Sequence, residues 1–584
     1  MESKTADAVL PLSSGLTENG RAGILPSGRG WPIKLALLFM LAALTAALVL
    51  PLLFLFRQAF LDQTGGWAGL RNFAEYFGAA SLVQSLMNTA VVSTATTAIA
   101  VPLAFGLAYV ICRTDIKGKA AIKGLALLPL FAPTMMHGLA LTYLFGHQGL
   151  FSTGFFGILP FEWRIPLYGK TGIIISEVIY TFPQAFLILC AGLGVADNRL
   201  YEAAESMGAG RFRKFRTVTL PAVKYALLGA VIICFTLSFT DFGAPKVVGG
   251  QYNVLATDIY KQVVGQQNMP MGAVVGIVLA VPALIAFAAD RLIARRQQSY
   301  VTAKSVPYAI KANRLRNAAA YVYAGLIAAA VLLLTGTVAL ASVVKKWPYD
   351  LSFTWNNFDF TNAAAGGFGP FRNSVEMSLW TAVAGTVVIF LFAYWIEKVK
   401  RFRLVRQTAY FLSVLPLALP GLVIGLSYIY FFNHPDNPLH FLYGTMAILV
   451  LANIVHFYSV PFMTATTSLK MMDKEFDHVS ESMNVSKLRT FFRITVPLSL
   501  PAVLEMAVYL FVNAMVTVSA VIFLYGADIK LASVAIVNMD DAGDTAPAAA
   551  MSVLIALLNV VVRALYEAGT SNLRRKTAAW QKRT

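Results

Sequence analysis

Glu177 is the one charged residue in the run from Gly172 to Leu193, with Tyr180 one turn further on. Asn453 and His456 hold the same relative places in a second run, Gly444 to Ser468. Asp241 follows Ser238 and Thr240 at the end of another apolar stretch, and Asn513, Thr517 and Ser519 stand in the corresponding place later in the chain. Polar groups in such surroundings are costly, so these residues are candidates for a functional site within the apolar runs. Nothing points to covalent catalysis. The six histidines are dispersed, and between His434 and His440 the residues Pro435, Asp436, Asn437 and Pro438 read as a turn. Cys112, Cys190 and Cys234 lie in apolar segments without the spacing of a disulfide framework or zinc site, and read as packing residues. Gly169, Lys170 and Thr171 imitate the end of a phosphate-binding loop, but Arg164 takes the place of its first glycine and a spanning run follows at once. The expectation is no catalytic residue, no metal site and no cofactor in this chain.

Residues of this kind need elements that cross a membrane to position them. With 57% hydrophobic and 13% charged residues and a mean hydropathy of +0.65, the 584-residue chain has too few polar groups to solvate a soluble protein of its size. The expected class is an all-α polytopic membrane protein with about twelve spans. The apolar runs place them at Ile33–Phe56, Thr89–Cys112, Ala121–Phe145, Gly172–Leu193, Ala222–Thr240 and Met271–Phe287. After a basic linker they continue at Ala318–Val344, Val375–Ile396, Thr408–Phe432, Gly444–Ser468, Ala502–Leu524 and Ala546–Val562. Residues 1–32 are too long and too mixed in charge for the start of a cleaved signal peptide, and read as a cytosolic tail. With the amino terminus inside, roughly 37 of the 47 basic residues fall on the inner side, so both termini are expected in the cytosol. The net charge of +18 follows from that bias and from attraction to the anionic lipid of the bilayer, and calls for no nucleic-acid partner.

One polar, basic island occurs twice. Glu205, Ser206, Met207, Arg213, Phe215, Thr219 and Pro221 recur as Glu481, Ser482, Met483, Arg489, Phe491, Thr495 and Pro497, at a constant offset of roughly 276 residues. Further echoes are Asn88 with Asn373, and Leu128-Pro129, Pro133 and Gly138 with Leu415-Pro416, Pro420 and Gly425. An even number of spans separates equivalents, so the halves run parallel about an axis along the membrane normal. The units expected are 1–32 as tail, 33–289 and 318–566 as repeats, 290–317 as cytosolic linker and 567–584 as basic tail. Glu177 and Asn453 are expected to face each other across the axis, on a path that also includes Tyr180, His456, Asp241 and Asn513.

Glu202-Ala203-Ala204, then Gly208 and Pro221, resemble the signature of binding-protein-dependent ABC import permeases. The resemblance implies a type I importer-like fold of two parallel six-helix repeats in the bacterial inner membrane. It also implies cytosolic ATPase subunits, two copies, docked at the islands, and a periplasmic solute-binding protein. ATPase coupling then falls to Glu202, Ala203, Ala204, Gly208, Pro221, Glu481, Asn484 and Pro497. Local physics agrees: Gly208 supplies a left-handed helix end, Asn484 is the next-best residue for the same turn, a second basic helix is expected to end near Thr219, and Pro221 to open a new spanning helix. The second copy departs in having His478, Val479 and Ser480 at the places of Glu202, Ala203 and Ala204. Phe239-Thr240-Asp241-Phe242-Gly243-Ala244-Pro245-Lys246-Val247-Val248-Gly249-Gly250 resembles the branch assigned to 2-aminoethylphosphonate uptake. Ferric iron is the alternative solute, and a secondary transporter with parallel repeats is the alternative of another class.

Overall fold

The computed structural model describes residues 31–581, apart from 158–161, 195, 298–305, 307, 311–312, 364–365, 399–401, 474 and 527. Residues 1–30 of the proposed tail and part of the linker therefore lie outside the described residues. Among those described, nine helices are long and apolar enough to cross a membrane: Leu35–Ala59, Ala80–Arg113, Lys170–Gly194, Arg211–Thr240, Met269–Ile293, Arg314–Val343, Gly369–Lys398, Lys487–Val516 and Thr545–Thr570. Two broken pairs join them, Arg403–Ala418 with Gly421–Phe432, bent by 113°, and Met446–His456 with Ser459–Met471, bent by 58°. The remaining stretch is Lys119–Ala126, a 3-10 turn at Leu128–Phe131 and Thr134–Phe145. This accounts for about twelve crossings and an all-α membrane fold.

Three expected straight spans are thus broken, and proline is the reason. At Ala121–Phe145 and Thr408–Phe432 each break contains two prolines, Pro129 with Pro133 and Pro416 with Pro420. A proline has no N–H to donate, its ring collides with the carbonyl four residues back, and the residue before it is pushed into extended backbone. Ala132 (φ −106°, ψ 145°) and Leu419 (φ −104°, ψ 124°) take that conformation. In the Gly444–Ser468 run, Pro461 cannot bond the carbonyl of Phe457, where the helix bends. The Ala502–Leu524 run also differs, since its helix stops at Val516.

Other prolines sit inside helices that stay continuous. The basic helix after the first island does not end near Thr219, and Pro221 does not open a new one: a single helix runs from Arg211 to Thr240. A π turn at Phe215–Thr219, closed by Leu220 N–H on Phe215 O, widens the helix just before Pro221 and makes room for its ring. Phe491–Thr495 before Pro497 and Thr45–Val49 before Pro51 do the same.

The halves interlock through their first helices. Leu35–Ala59 packs on the second half, where Tyr428 Oη donates to Ala47 O at 2.7 Å and Met40 and Leu44 are buried with Ile389 and Phe390. Arg314–Val343 returns the contact, with Tyr323 Oη donating to Leu103 O at 2.8 Å and Val338 and Ala341 buried against Met136 and Ala140. At the centre, Leu55, Val275 and Leu279 share a core with Leu422, Val423, Leu426 and Met515.

Each half also pins its own irregular segment in the same way. Asn88 Nδ2 donates to Asn253 O (2.9 Å) and Thr89 Oγ1 accepts from Leu255 N (2.9 Å); Asn373 Nδ2 donates to Lys530 O (3.0 Å) and Ser374 Oγ accepts from Ala532 N (2.8 Å). Beside these segments the halves exchange a hydroxyl for a hydrogen. A Cβ at Gly243 would run into Thr134 Oγ1, whereas in the second half a Cβ at Gly421 would run into Ser519 Oγ. Gly243→Ala should therefore lower the melting temperature in detergent, by the equivalent of about 1–3 kcal/mol of overpacking, and adding Thr134→Gly should restore most of it. An alanine variant that melts like the parent would refute this packing account.

Candidate functional site

The first island begins with Asp197, whose Oδ1 accepts from Arg199 N at 3.0 Å, and continues as the helix Asn198–Ser206. Gly208 (φ 71°) ends it, and Ala209 N–H bonds Ala204 O at 2.9 Å. The second island repeats that end: the helix Glu475–Ser482 is followed by Asn484 at φ 52°, and Val485 N–H bonds Ser480 O at 2.9 Å. The six-to-one bond with one left-handed residue satisfies a terminal carbonyl in both copies, so the change from Gly to Asn preserves the turn.

The islands also expose the same face. Ala204 and Ser480 turn into the protein, while Ala203 and Met207, and their counterparts Val479 and Met483, face outward. Met207 is 78% and Met483 71% exposed, and Phe212 and its counterpart Leu488 extend the surface. Apolar side chains four residues apart on a short exposed helix form a stripe suited to a partner surface. Glu202 lies at its edge, with Oε1 accepting from Asn198 Nδ2 at 2.7 Å. The side chain of Glu481 lies outside the described residues.

The intramembrane candidates divide into separate groups. Glu177 is fully buried, with the carboxyl of Asp241 as its neighbour. Asp241 Oδ2 accepts from Ala244 N at 2.9 Å. Tyr180 belongs to this group and lies near Tyr509 of the other half. Asn453 turns elsewhere, its Nδ2 donating to Met377 Sδ (3.3 Å) and Leu449 O (2.9 Å). The expected pairing of Glu177 with Asn453 is thus replaced by partners within each half, and Tyr180 with Tyr509 makes the approach between halves. His456 packs on Phe457 and beside Gly421. Asn513 Nδ2 donates to Tyr509 O at 2.8 Å, a bond within its own helix.

Residues 100–299 and 385–575 match the family described as binding-protein-dependent transport system inner membrane component. The chain belongs to that family. Among its relatives, the ferric transport system permease protein FbpB of Actinobacillus pleuropneumoniae is 30% identical over 471 residues, covering 78% of this chain and 67% of that protein. The putative 2-aminoethylphosphonate transport system permease protein PhnU of Salmonella typhi is 27% identical over 265 residues, covering 44% of this chain and 91% of that protein. A crystal structure of a bacterial ABC transporter that imports alginate aligns with a TM-score of 0.39 at 20% identity, over 47% of this chain and 97% of that one. The chain is an ABC importer permease, a multi-pass protein of the inner membrane.

In this permease the face opposite the islands carries a charged contact between the halves that sequence reasoning missed. Lys246 Nζ lies 2.8 Å from Asp541 Oδ1, joining the helix Gly243–Val248 to Ala532–Ala542, and 5.3 Å from the centre of the Tyr260 ring. The available signal was the acidic pair Asp540-Asp541 closing an apolar run. Burial, and then the charge of Asp541, push the carboxyl of Asp540 up to about 6, with Lys246 acting in the opposite sense. A carboxyl raised in the folded state contributes stability when protonated, fully present below its ordinary value of 3.8 and lost as pH rises through about 6. Asp540→Asn should therefore be more stable than the parent at pH 7, by up to about 2 kcal/mol, and the difference should close towards pH 4. Melting curves of both proteins across that range test it, and parallel pH profiles would disprove the assignment.

Proposed function

We propose that this permease forms, in one chain, the whole translocation path of an ATP-driven importer for 2-aminoethylphosphonate. The importer reading is carried by the island that occurs twice, with the same exposed apolar stripe and the same left-handed end. Each copy offers a docking helix to one of two ATPase subunits, through Glu202, Ala203, Ala204 and Gly208 in the first and Glu481 and Asn484 in the second. Pro221 and Pro497 lie just past the islands, inside the continuous helices Arg211–Thr240 and Lys487–Val516 that carry the motion into the bilayer. Both termini and residues 290–317 lie on the ATPase side, and a periplasmic binding protein delivers solute to the opposite face. The repeats are residues 33–289 and 318–566. The chain itself hydrolyses nothing.

The solute assignment rests on charge. 2-Aminoethylphosphonate is a zwitterion, its ammonium group complementary to Glu177 and Asp241 and its phosphonate to Lys246. The segment Phe239–Gly250 and the likeness to PhnU over 91% of that protein support the same solute. Ferric iron is the second reading, favoured by the 30% identity to FbpB and by the hard oxygen donors Glu177, Asp241, Tyr180 and Tyr509. Uptake by proteoliposomes containing permease, ATPase and binding protein distinguishes them. Labelled 2-aminoethylphosphonate should enter saturably, unaffected by excess ferric citrate, and Glu177→Gln should slow it on the order of tenfold. Entry of iron without the phosphonate would replace the first reading with the second.

Coupling has its own test. A Cβ on Gly208 meets nothing within 4 Å, so the cost of Gly208→Val is one of backbone conformation, roughly 1–2 kcal/mol for a β-branched residue held left-handed. It should suppress binding-protein-stimulated ATP hydrolysis, whereas Asn484→Gly should be tolerated. Normal stimulation in the first variant with loss in the second would reverse the roles given to the islands.

A further inference from the structure

The segment joining the two halves occurs once, and it lies against the first island. Asn198, the first residue of that island's helix, donates its backbone N–H to Val306 O at 2.9 Å and accepts from Ala309 N at Oδ1, 3.1 Å. Asp197 Oδ1, the oxygen that caps the helix, also accepts from Val306 N at 3.2 Å. Tyr308 packs edge-on against Tyr201 with ring centres 4.9 Å apart. Arg113, 2% exposed at the end of the Ala80–Arg113 helix, places its guanidinium 4.0 Å from the centre of the Tyr308 ring and 5.2 Å from that of Tyr201. Its Nη2 donates to Leu193 O at 3.0 Å. Tyr201 Oη completes the attachment by donating to Thr219 Oγ1 at 3.0 Å.

A buried guanidinium is tolerated where carbonyls and aromatic faces replace its water, and here the linker supplies one of those faces. The repeat puts Lys398 where Arg113 stands, and the neighbouring Glu397 pairs with Lys470 at 3.3 Å. A linker present once can strap only one of the two islands.

We infer that the linker segment around Tyr308 is a brace that positions the first coupling helix, so that the two ATPase contacts of this permease are mechanically unequal. The bonds to Asp197 and Asn198 hold the start of the helix, and the stack Tyr308, Arg113, Tyr201 ties its middle to two spanning helices. Closure of an ATPase at Met207 then pushes on a helix fixed to the bundle at two points rather than on a hinged loop. Tyr308 touches neither solute nor nucleotide, and its role is positional. The inference rests on reading Asn198–Ser206 as an ATPase contact, which the experiment checks separately.

The test uses the full complex of permease, ATPase and binding protein in proteoliposomes. Tyr308→Leu, which keeps apolar volume but loses the ring, should lower binding-protein-stimulated ATP hydrolysis about fivefold, within the usual range of coupling between sites, and leave basal hydrolysis unchanged. Tyr308→Phe keeps both ring contacts and should restore stimulation. In parallel, Met207→Cys, with the three native cysteines replaced by serine, is cross-linked to the ATPase. Cross-linking in the otherwise native chain, with Tyr308→Leu fully stimulated, overturns the brace. Failure to cross-link when Tyr308 is intact overturns the coupling reading itself, and the brace with it. Equal loss in the leucine and phenylalanine variants also counts against the brace, because the stack would then not be its basis.

Discussion

A polypeptide inside hydrocarbon has no water to bond, so every backbone N–H and C=O freed by a break must find a partner within the protein. The whole architecture can be read as a response to that requirement. Breaks made by Pro133 and Pro420 fall at the junction of the halves, where other helices surround them. Asn559 Nδ2, from the last helix, donates to Phe131 O at 3.0 Å, a carbonyl that the first proline-rich break leaves available. Asn88 and Asn373 serve the segments that leave the helix after Thr240 and Val516. Side-chain amides suit this task, because each can donate to a carbonyl without carrying charge into the bilayer. Pro51, Pro221 and Pro497 are absorbed by π turns, which keep their helices continuous.

The same constraint explains how the halves diverged while keeping one geometry. Equivalent positions changed in compensating pairs, with Thr134 facing Gly243 in one half and Gly421 facing Ser519 in the other. A single step would have left a collision or a gap. At the islands the compensation is conformational: Asn484 enters left-handed backbone less easily than Gly208 but still caps the helix with the same bond.

Much of this was legible in the chain. Composition, charge-free runs and the recurrence of Glu205 to Pro221 at Glu481 to Pro497 were enough for the class, the parallel repeat and the left-handed turns. Hydropathy failed where proline acts, because a window average over Ala121–Phe145 or Thr408–Phe432 is blind to a missing N–H. It also failed at Pro221, where proline suggested a helix start and the preceding π turn, which has no side-chain signature, decided otherwise. Among polar residues the pattern separated Glu177 from its surroundings but could not place its partner. Repeat equivalence suggested Asn453, whereas packing gave Asp241, since helices that carry equivalent residues need not touch. Tyr509, Lys246 and Asp541 acquire meaning only through contacts between halves that hydropathy does not encode.

Fusion of the halves permits features that a pair of identical subunits could not have singly. In a symmetric dimer the Lys246–Asp541 contact would occur twice about the axis, along with two copies of Asp540. Here Ile522 stands where Lys246 would recur, buried at 4% exposure in the same apolar cluster as Val263. At one of the two equivalent places the protein carries an ion pair between the halves, and at the other a buried apolar side chain. Opening the first exposes ions to water at little net cost, because a pair this exposed is weak, whereas opening the second exposes hydrocarbon and is opposed at about 25 cal/mol per Å². The apolar contact therefore resists separation more strongly than the charged one.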